Sequence, residues 1–314
     1  MAQVKITVMG AGAVGAHTAA IIAQKSLGNT FLYDIADGLA AGRAMDINQA
    51  SPAVRTDCRV TGSSLPDTLM GSDIVVFTAG YARQAGMDRL DLLRKNMDVA
   101  RQAGRYITEF CPGAQVLVVT NPVEAITWYL KEIWPGMNVF GLGCSLDAVR
   151  FTYFIADTLN VSVEEVRGLV IGTHTDEMIP LVGHASVGGA SLTSVADIHT
   201  IDTIVRLTKA AGSAIVQNLK NHSGFYAASH TIAGIVEAIV LNRPEVFPLS
   251  VPCEGAYGFE DIVLALPAVV SSAGNHRIIE MDLDPYERSL LKKCASSMAR
   301  IIHDIKRGGL TAAY

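Results

Sequence analysis

Apolar positions in the first half of the chain follow two alternating patterns. Short runs rich in β-branched residues are separated by longer stretches with a period of about 3.6, as in residues 89–110. This alternation is typical of βαβ units, which build a parallel sheet covered by helices. The predicted strands cover residues 5–9, 30–33, 59–61, 74–78, 115–119 and 138–140. Six such strands predict an α/β protein with a doubly wound, Rossmann-type parallel sheet.

From about residue 145 the pattern changes to longer helices and irregular strands. The helices are predicted over residues 147–159, 201–220, 227–241 and 285–306, with strands near Leu169 and between residues 246 and 270. We therefore predict two domains, residues 1–144 with the parallel sheet and residues 145–314 with an α+β fold. No repeat or low-complexity linker separates them, which predicts that they pack together.

Composition narrows the class of protein. Half of the 314 residues are hydrophobic and 18% are charged, which predicts a globular rather than a disordered chain. A formal charge of −5, without any Lys/Arg run, predicts no nucleic-acid or membrane partner. The five cysteines form no C-x-x-C pair, so a reducing cytoplasm is the predicted location. Residues 6–24 carry no charge, but their glycines argue against a signal peptide or membrane helix.

The segment after the first strand has the spacing of a dinucleotide-binding turn. It reads Gly10-Ala11-Gly12-Ala13-Val14-Gly15 and opens a predicted helix. In such a turn the first glycine permits the tight bend, the second lets backbone approach a pyrophosphate, and the third lets the helix press on the strand. Asp34 ends the second strand, where a carboxylate binds an adenosine ribose and repels a 2′-phosphate. The pattern predicts bound NAD rather than NADP. The alternative is an ordinary βαβ turn with a solvated Asp34.

Two further clusters have the residue types of a proton-transfer site. Oxidation of an alcohol carbon needs a base for the hydroxyl proton, and histidine suits that role. His174 follows the apolar run 169–172 at a predicted strand end, where loops commonly carry sites. Asp147 and Arg150 lie three residues apart at a helix start, and their apolar flanks favour a buried, functional pair. The alternatives are a hydrogen-bonded strand-end histidine and a surface ion pair of little energetic value.

Several motifs, in one order, resemble a known family. They are the glycine turn, Thr78-Ala79-Gly80, ARQAGMDRLDLLRKN at 82–96, VVTNPV at 118–123, LDAVRF at 146–151, IGTHTDEMIP at 171–180 and EGAYG at 254–258. Together they resemble the lactate and malate dehydrogenases, and within them the malate enzymes of the lactate-dehydrogenase-like branch. The resemblance covers the whole chain. It implies an NAD-binding domain over residues 1–144, a catalytic domain over 145–314, and a homodimer or homotetramer.

The resemblance also implies roles for individual residues. His174 would accept and donate the proton, while Asp147 orients it and stabilises the imidazolium. Arg150 would hold the C1 carboxylate in a bidentate fork, and Arg89 would polarise the reacting oxygen. Asn121 would bind near both substrate and nicotinamide, and the bond from Asn121 to Pro122 is predicted to be cis. Further NAD contacts are implied at Thr78, Ala79, Gly80, Asn96, Val119 and Thr120.

Substrate choice is expected to depend on Arg83. By the resemblance, lactate enzymes carry glutamine at this position, whereas malate enzymes carry an arginine that meets the second carboxylate. The charges of these residues favour the same choice. The site would carry the single negative charge of Asp147 against four positive charges, those of Arg83, Arg89, Arg150 and a protonated His174. This excess suits a dianion better than a monoanion. The resemblance therefore implies reversible NAD-dependent oxidation of (S)-malate to oxaloacetate.

Some features leave alternatives open. By the resemblance, Gly224 lines the pocket opposite Arg83, while the segment 227–231 lacks a proline common in malate enzymes. Thr175 stands where the family usually has glycine, and a β-branched residue does not easily adopt φ > 0, so the loop is expected to differ in shape. The alternatives are a dehydrogenase for lactate or another 2-hydroxy acid, a non-enzymatic NAD-sensing or structural protein, and a glycoside hydrolase that depends on NAD and a metal. For Arg83, the alternative to a substrate-binding role is a loop cation that faces solvent.

Overall fold

A computed structural model describes residues 4–81, 89–220, 223–274 and 277–308, without the side chains of residues 89 and 90. Strands and helices alternate through the first half of the chain. In order they are β1 (Lys5–Met9), α1 (Ala13–Gln24), β2 (Asn29–Tyr33), α2 (Leu39–Gln49), α3 (Ser51–Val54), β3 (Val60–Ser63), β4 (Ile74–Phe77), α4 (Arg89–Phe110), β5 (Gln115–Val118), α5 (Val123–Ile133) and β6 (Asn138–Gly141).

The second half combines long helices with short strands. Its elements are α6 (Ser145–Leu159), β7 (Val166–Arg167), β8 (Val170–Ile171), β9 (Ile179–Pro180), β10 (Ser186–Val187), β11 (Ala190–Ser191), α7 (Leu192–Val195), α8 (Ile198–Leu219), α9 (Tyr226–Val240), β12 (Glu245–Pro252), β13 (Val263–Val270), β14 (Arg277–Ile278) and α10 (Pro285–Arg307). Helix α10 begins at a capping box, in which Asp284 and Glu287 bind each other's backbone N–H.

The main sheet confirms the doubly wound topology. Its first six strands lie in the order β3-β2-β1-β4-β5-β6, and every pairing between them is parallel. All four residues of β4 and of β5 are buried, as expected for parallel strands covered on both faces. The order reverses between β1 and β4, and in such sheets ligands bind at the carboxyl ends of the strands beside this reversal.

Strands from the second half extend the same sheet. The eight-residue strands β12 and β13 form an antiparallel hairpin, and β14 pairs with β13 at the edge. The hairpin joins the parallel strands through one pairing, Ser250 with Gly141 of β6. The two halves of the chain therefore share a nine-stranded sheet.

Packing follows this shared sheet. The largest core cluster contains residues of both halves, from Ile6 of β1 to Ile305 of α10. A second cluster surrounds α6 and includes Phe151, Ile155 and Ile204. Helix α6 is thus fixed on its apolar side, which orients the polar residues of its first turn. Within the described residues, no helix combines the length and apolarity needed to cross a membrane.

Candidate active site

The glycine turn lies at the carboxyl end of β1, where the sequence predicts a cofactor. Gly10 has φ +104°, a conformation that strongly favours glycine, and a Cβ there would lie 2.7 Å from the backbone nitrogen of Ala79. A Cβ at Gly15 would lie only 1.9 Å from the carbonyl oxygen of Gly10. At Gly12 a Cβ would meet nothing within 4 Å. The outer glycines are thus required by protein packing, whereas Gly12 leaves its backbone open to a ligand.

Asp34 braces this turn from the end of β2. Its Oδ2 accepts a 2.7 Å hydrogen bond from the backbone N–H of Ala11, and its Oδ1 accepts one of 2.9 Å from Ala36. Ala11 is itself fully buried. A carboxylate has further acceptor positions on each oxygen, so Asp34 can hold the turn and still bind a ribose hydroxyl.

Asn96 and Thr120 connect the loops that follow β4 and β5. Thr120 Oγ1 donates to the carbonyl of Ala79 at 2.7 Å. Asn96 is fully buried; its Oδ1 accepts from Tyr81 N–H at 2.7 Å, and its Nδ2 donates to the carbonyl of Asn121 at 2.7 Å. Asn96 therefore fixes the two loops relative to each other. The side chain of Asn121 is exposed, and the predicted cis bond to Pro122 is confirmed.

A cleft of about 330 Å³ runs along these loops at the carboxyl edge of the sheet. Six residues with predicted NAD contacts line it: Gly10, Gly12, Asp34, Thr78, Ala79 and Gly80. The other predicted cofactor residues, including Ala13, Val14, Val119 and Thr120, are not part of its lining. The narrow glycine cradle, the helix N-terminus at Ala13 and the carboxylate of Asp34 have the chemistry that a dinucleotide requires.

The structure brings His174 and Asp147 together although 27 residues separate them in sequence. His174 Nδ1 lies 2.6 Å from Asp147 Oδ2, and the Asp147 side chain is fully buried. Because an ionised carboxylate only accepts hydrogen bonds, Nδ1 must carry a proton. That leaves His174 Nε2 as the atom that can gain or lose a proton.

Arg150 lies on the other side of the same carboxylate. Its Nη1 is 3.3 Å from Asp147 Oδ1, one helical turn along α6. Its side chain is only 14% exposed, and its buried Nε has no hydrogen-bond partner among the residues that the structure describes. A buried donor without a partner is costly. A ligand carboxylate would satisfy it, because the guanidinium fork matches two carboxylate oxygens.

The pKa of His174 is raised above its ordinary value. Burial of the ring is the largest influence and lowers the pKa, but the charge of Asp147, its hydrogen bond and the charge of Glu124 together outweigh that effect. The nearby Arg150 opposes them weakly. The imidazolium is thus stabilised near neutral pH, as a group that must donate a proton requires.

The loop carrying His174 is fixed to the main sheet. Gly172, at φ +102°, exchanges two 2.8 Å backbone hydrogen bonds with Ala265 of β13. Thr175 is not among the residues with positive φ. Its Oγ1 instead lies 2.9 Å from Thr173 Oγ1 and accepts from Glu177 N–H at 3.1 Å. The threonine therefore fits this loop without the strain that the sequence suggested.

Other predicted residues are placed less completely. Arg83 lies outside the described residues, and Arg89 begins α4 although its side chain is not described. Gly224 precedes α9, and a Cβ there would lie 3.0 Å from Ile215 Cγ2 of α8. Its predicted place in the substrate pocket stays a prediction.

The structure adds residues that the sequence did not indicate. Glu124, in the first turn of α5, accepts a hydrogen bond from the backbone N–H of His174. Gly212 of α8 faces the guanidinium of Arg150, because a Cβ there would lie 3.5 Å from Nη1. Neither residue has a local sequence signal, since both contacts join distant parts of the chain.

Comparison with family models and curated proteins identifies relatives of the chain. The lactate/malate dehydrogenase NAD binding domain matches residues 4–138, and the alpha/beta C-terminal domain of the same family matches residues 144–308. The malate dehydrogenase of Bacillus subtilis (strain 168) is 40% identical over 302 residues, which cover 95% of this chain and 97% of the relative. The malate dehydrogenase of Thermoplasma acidophilum is 37% identical over 310 residues and covers 95% of each chain.

Solved structures give the same grouping. The apo malate dehydrogenase of Picrophilus torridus has a TM-score of 0.93, is 34% identical, and covers 98% of each chain. The lactate dehydrogenase of Cryptosporidium parvum, complexed with lactic acid and NAD, also has a TM-score of 0.93. It is 30% identical and covers 98% of this chain and 99% of that one. Backbone shape therefore does not separate the two substrate classes.

Proposed function

Since the chain belongs to the lactate/malate dehydrogenase family, we propose that it is an NAD-dependent malate dehydrogenase, which interconverts (S)-malate and oxaloacetate. The observation that carries the reaction is the 2.6 Å contact between His174 Nδ1 and buried Asp147, with the guanidinium of Arg150 beside it. The curated relatives described above, which are malate dehydrogenases, support the choice of acid.

The cofactor half of the site is assigned from the cleft. The glycine turn would hold the pyrophosphate, Asp34 the adenosine ribose, and the loops at Thr78 and Asn121 the nicotinamide end. When bound there, NAD would supply the hydride acceptor for C2 of malate, and NADH the hydride donor in the reverse direction. The carboxylate of Asp34 is negatively charged and only accepts hydrogen bonds, so it would repel a 2′-phosphate. This supports NAD over NADP.

The chain's own residues would transfer the proton and bind the carboxylates of the substrate. His174 Nε2 takes the hydroxyl proton as C2 is oxidised, and returns it when oxaloacetate is reduced. Asp147 keeps the proton on Nδ1 and stabilises the imidazolium. Arg150, whose Nε has no partner among the described residues, would bind the C1 carboxylate. Arg89 is assigned to the reacting oxygen and Asn121 to the substrate and nicotinamide by the family resemblance.

The malate assignment predicts a strong preference for a four-carbon dianion. We expect the enzyme to oxidise NADH with oxaloacetate far faster than with pyruvate at equal concentration. Arg83→Gln should lower kcat/KM for oxaloacetate by about 10²-fold and raise the relative rate with pyruvate, because a buried carboxylate would lose its partner. Initial rates of NADH oxidation with both acids, for both proteins, measure the effect.

A second arginine serves as the control for that assay. Arg300 of α10 is exposed and outside the assigned site, so Arg300→Gln makes the same charge change and should leave both rates unchanged. A wild-type preference for pyruvate would favour a lactate-type dehydrogenase. This is the second candidate, because the Cryptosporidium lactate enzyme has the same TM-score of 0.93 as the Picrophilus malate enzyme. Tight NAD binding without NADH oxidation by any 2-oxo acid would favour a non-enzymatic role.

We further propose that the protein forms a homodimer or homotetramer. The face formed by α1, α3 and α9 exposes Val54 at 39% and Tyr226 at 65%, and it includes a cavity of about 530 Å³ lined by Val54, His17 and Phe225. Apolar groups in such a patch favour contact with a second copy of the chain. Light scattering should give at least twice the chain mass of 33.4 kDa; a monomeric mass would contradict the proposal.

We propose that the boundary between residues 144 and 145 separates a cofactor-binding domain from a catalytic domain. The cofactor cleft uses residues before it, whereas Asp147, Arg150 and His174 follow it. The cytoplasm is the proposed location, supported by five free cysteines, four of them buried. Fractionation of cells with an antibody to the protein would test this location.

A further inference from the structure

Glu124 is a buried acid that the proposed reaction does not use. It lies in the first turn of α5, directly after the loop that contains Asn121, and is only 4% exposed. A helix N-terminus favours a negative charge, but a carboxylate in the core is costly unless it is bound on all sides. Its partners therefore indicate what it does.

The two hydrogen bonds that Glu124 accepts from distant residues go to one oxygen. Oε1 accepts from the backbone N–H of His174 at 3.1 Å and from Ser250 Oγ at 3.0 Å. Ser250 is the residue of β12 that pairs with β6, where the hairpin meets the parallel sheet. Glu124 thus fixes the peptide of His174 to the junction between the two parts of the sheet.

His174 is consequently held at its backbone as well as at its side chain. Asp147 of α6 binds the imidazole, Glu124 of α5 binds the peptide N–H, and Ala265 binds Gly172 two residues earlier. With the peptide and Nδ1 both fixed, the direction of Nε2 is determined. Because small displacements of a reacting group are costly in rate, the second attachment has a catalytic consequence.

The charge of Glu124 supports the role of His174, as its hydrogen bond to the His174 peptide does. Burial raises the pKa of Glu124, while the charge of His174 and hydrogen bonds from the backbones of His174 and Glu124 and from Ser250 lower it in part. Among the residues that the structure describes, the charged and titratable groups around the pair are Asp147 and Arg150 of α6, Cys144 before α6, and Cys294 of α10. Ionised Glu124 favours the imidazolium of His174.

We propose that Glu124 is a positioning residue for His174, which holds the peptide of the proton-transfer histidine through Oε1 and places a second carboxylate close to it. The inference rests on the proposed function, because it takes His174 as the proton-transfer group. Glu124 does not touch substrate or cofactor in this scheme. It acts only through His174.

The test separates charge from shape in the full-length chain. Glu124→Gln keeps the length of the side chain but removes its charge, whereas Glu124→Asp keeps the charge and shortens the reach. Glu132→Gln is the matched control, since Glu132 is exposed on the same helix α5. The pKa of His174 is measured by NMR titration of the imidazole, assigned from the signal that His174→Asn removes. Steady-state kinetics with oxaloacetate give kcat and KM.

We expect Glu124→Gln to lower the pKa of His174 by roughly one unit and kcat severalfold, because its amide oxygen can still accept both hydrogen bonds. Glu124→Asp should keep the pKa of His174 but lower kcat by about tenfold, because the shorter side chain no longer holds the peptide of His174. The KM for NADH should be unchanged in both, and an unchanged kcat of Glu124→Asp would contradict the positioning role. If Glu124→Gln matches Glu132→Gln in both quantities, the proposal is overturned. A loss of kcat that only follows thermal destabilisation, with the pKa of His174 unchanged, also overturns it.

A second variant covers the case in which Glu124→Gln does not fold. Ser250→Ala removes one donor to Oε1 and should lower kcat severalfold, whereas an unchanged kcat would contradict the proposal. The titration of His174 needs no substrate. A wild-type protein that fails to reduce oxaloacetate would therefore overturn the proposed function alone, and an unmoved pKa of His174 would overturn the positioning role alone.

Discussion

Replacement of His174 by asparagine is expected to lower kcat for oxaloacetate reduction by about 10³- to 10⁴-fold. Asparagine can still donate a hydrogen bond to Asp147 and occupies a similar place, but it has no atom that gains and loses a proton near neutral pH. The reaction would then depend on water for its proton. Steady-state NADH oxidation gives kcat, and NADH fluorescence should give an unchanged Kd, because the cofactor cleft does not include His174.

The matched control for this variant is His303→Asn. His303 is exposed on α10 and outside the assigned site, so its replacement should leave kcat unchanged. If His174→Asn retains kcat within tenfold of the wild type, another group must supply the proton.

The same histidine fixes the sign of the pH dependence. Its pKa is raised, so the imidazolium persists above the ordinary value of about 6.5. Reduction of oxaloacetate uses the protonated ring and should be lost as pH rises through the raised pKa. Oxidation of malate uses the neutral ring and should be gained over the same interval. Profiles of kcat/KM with equal slopes in both directions would contradict the assignment.

Asp147→Asn is expected to lower kcat by about 10²- to 10³-fold. An amide can donate as well as accept, so it can favour the wrong tautomer of His174 and leave Nε2 protonated in the neutral ring. Loss of the negative charge also lowers the pKa of His174, because Asp147 is its main raising influence. The downward shift of the pH profile is the specific readout.

This variant should also unfold more easily than the wild type. Arg150 is 14% exposed, and Asp147 is its ionic partner. Removal of that charge leaves a mostly buried guanidinium less well compensated. Asp157→Asn makes the same charge change at an exposed position of α6 and should alter neither kcat nor the melting temperature. Equal effects of the two variants would show that Asp147 has no special role.

Much of the fold could be predicted because local patterns are strong in the parallel half. The run at β1, the glycine turn and the amphipathic α4 each carry a signal within a short window, and β1 and α4 have the predicted bounds. The sharing of one sheet by both halves was not predictable in the same way. It depends on the pairing of Ser250 with Gly141, and strands separated by more than 100 residues leave no local mark of their register.

The candidate site divides in the same manner. His174, Asp147 and Arg150 were indicated by residue type, spacing and family resemblance, and the structure brings them together. Glu124 was missed because a glutamate in the first turn of a helix is ordinary, and its meaning depends on partners 50 and 126 residues away. Thr175 seemed incompatible with a φ > 0 that its loop does not require.

The junction between β6 and β12 limits how this chain can be divided or recombined. A fragment ending at residue 144 would leave β6, whose last three residues are buried, as an edge strand that pairs only with β5. Apolar edge strands are templates for intermolecular pairing. Exchange of cofactor halves between relatives at this boundary would therefore transplant one side of a sheet, and a chimera that does not preserve the Gly141 pairing would be prone to aggregate before its catalytic groups could be compared.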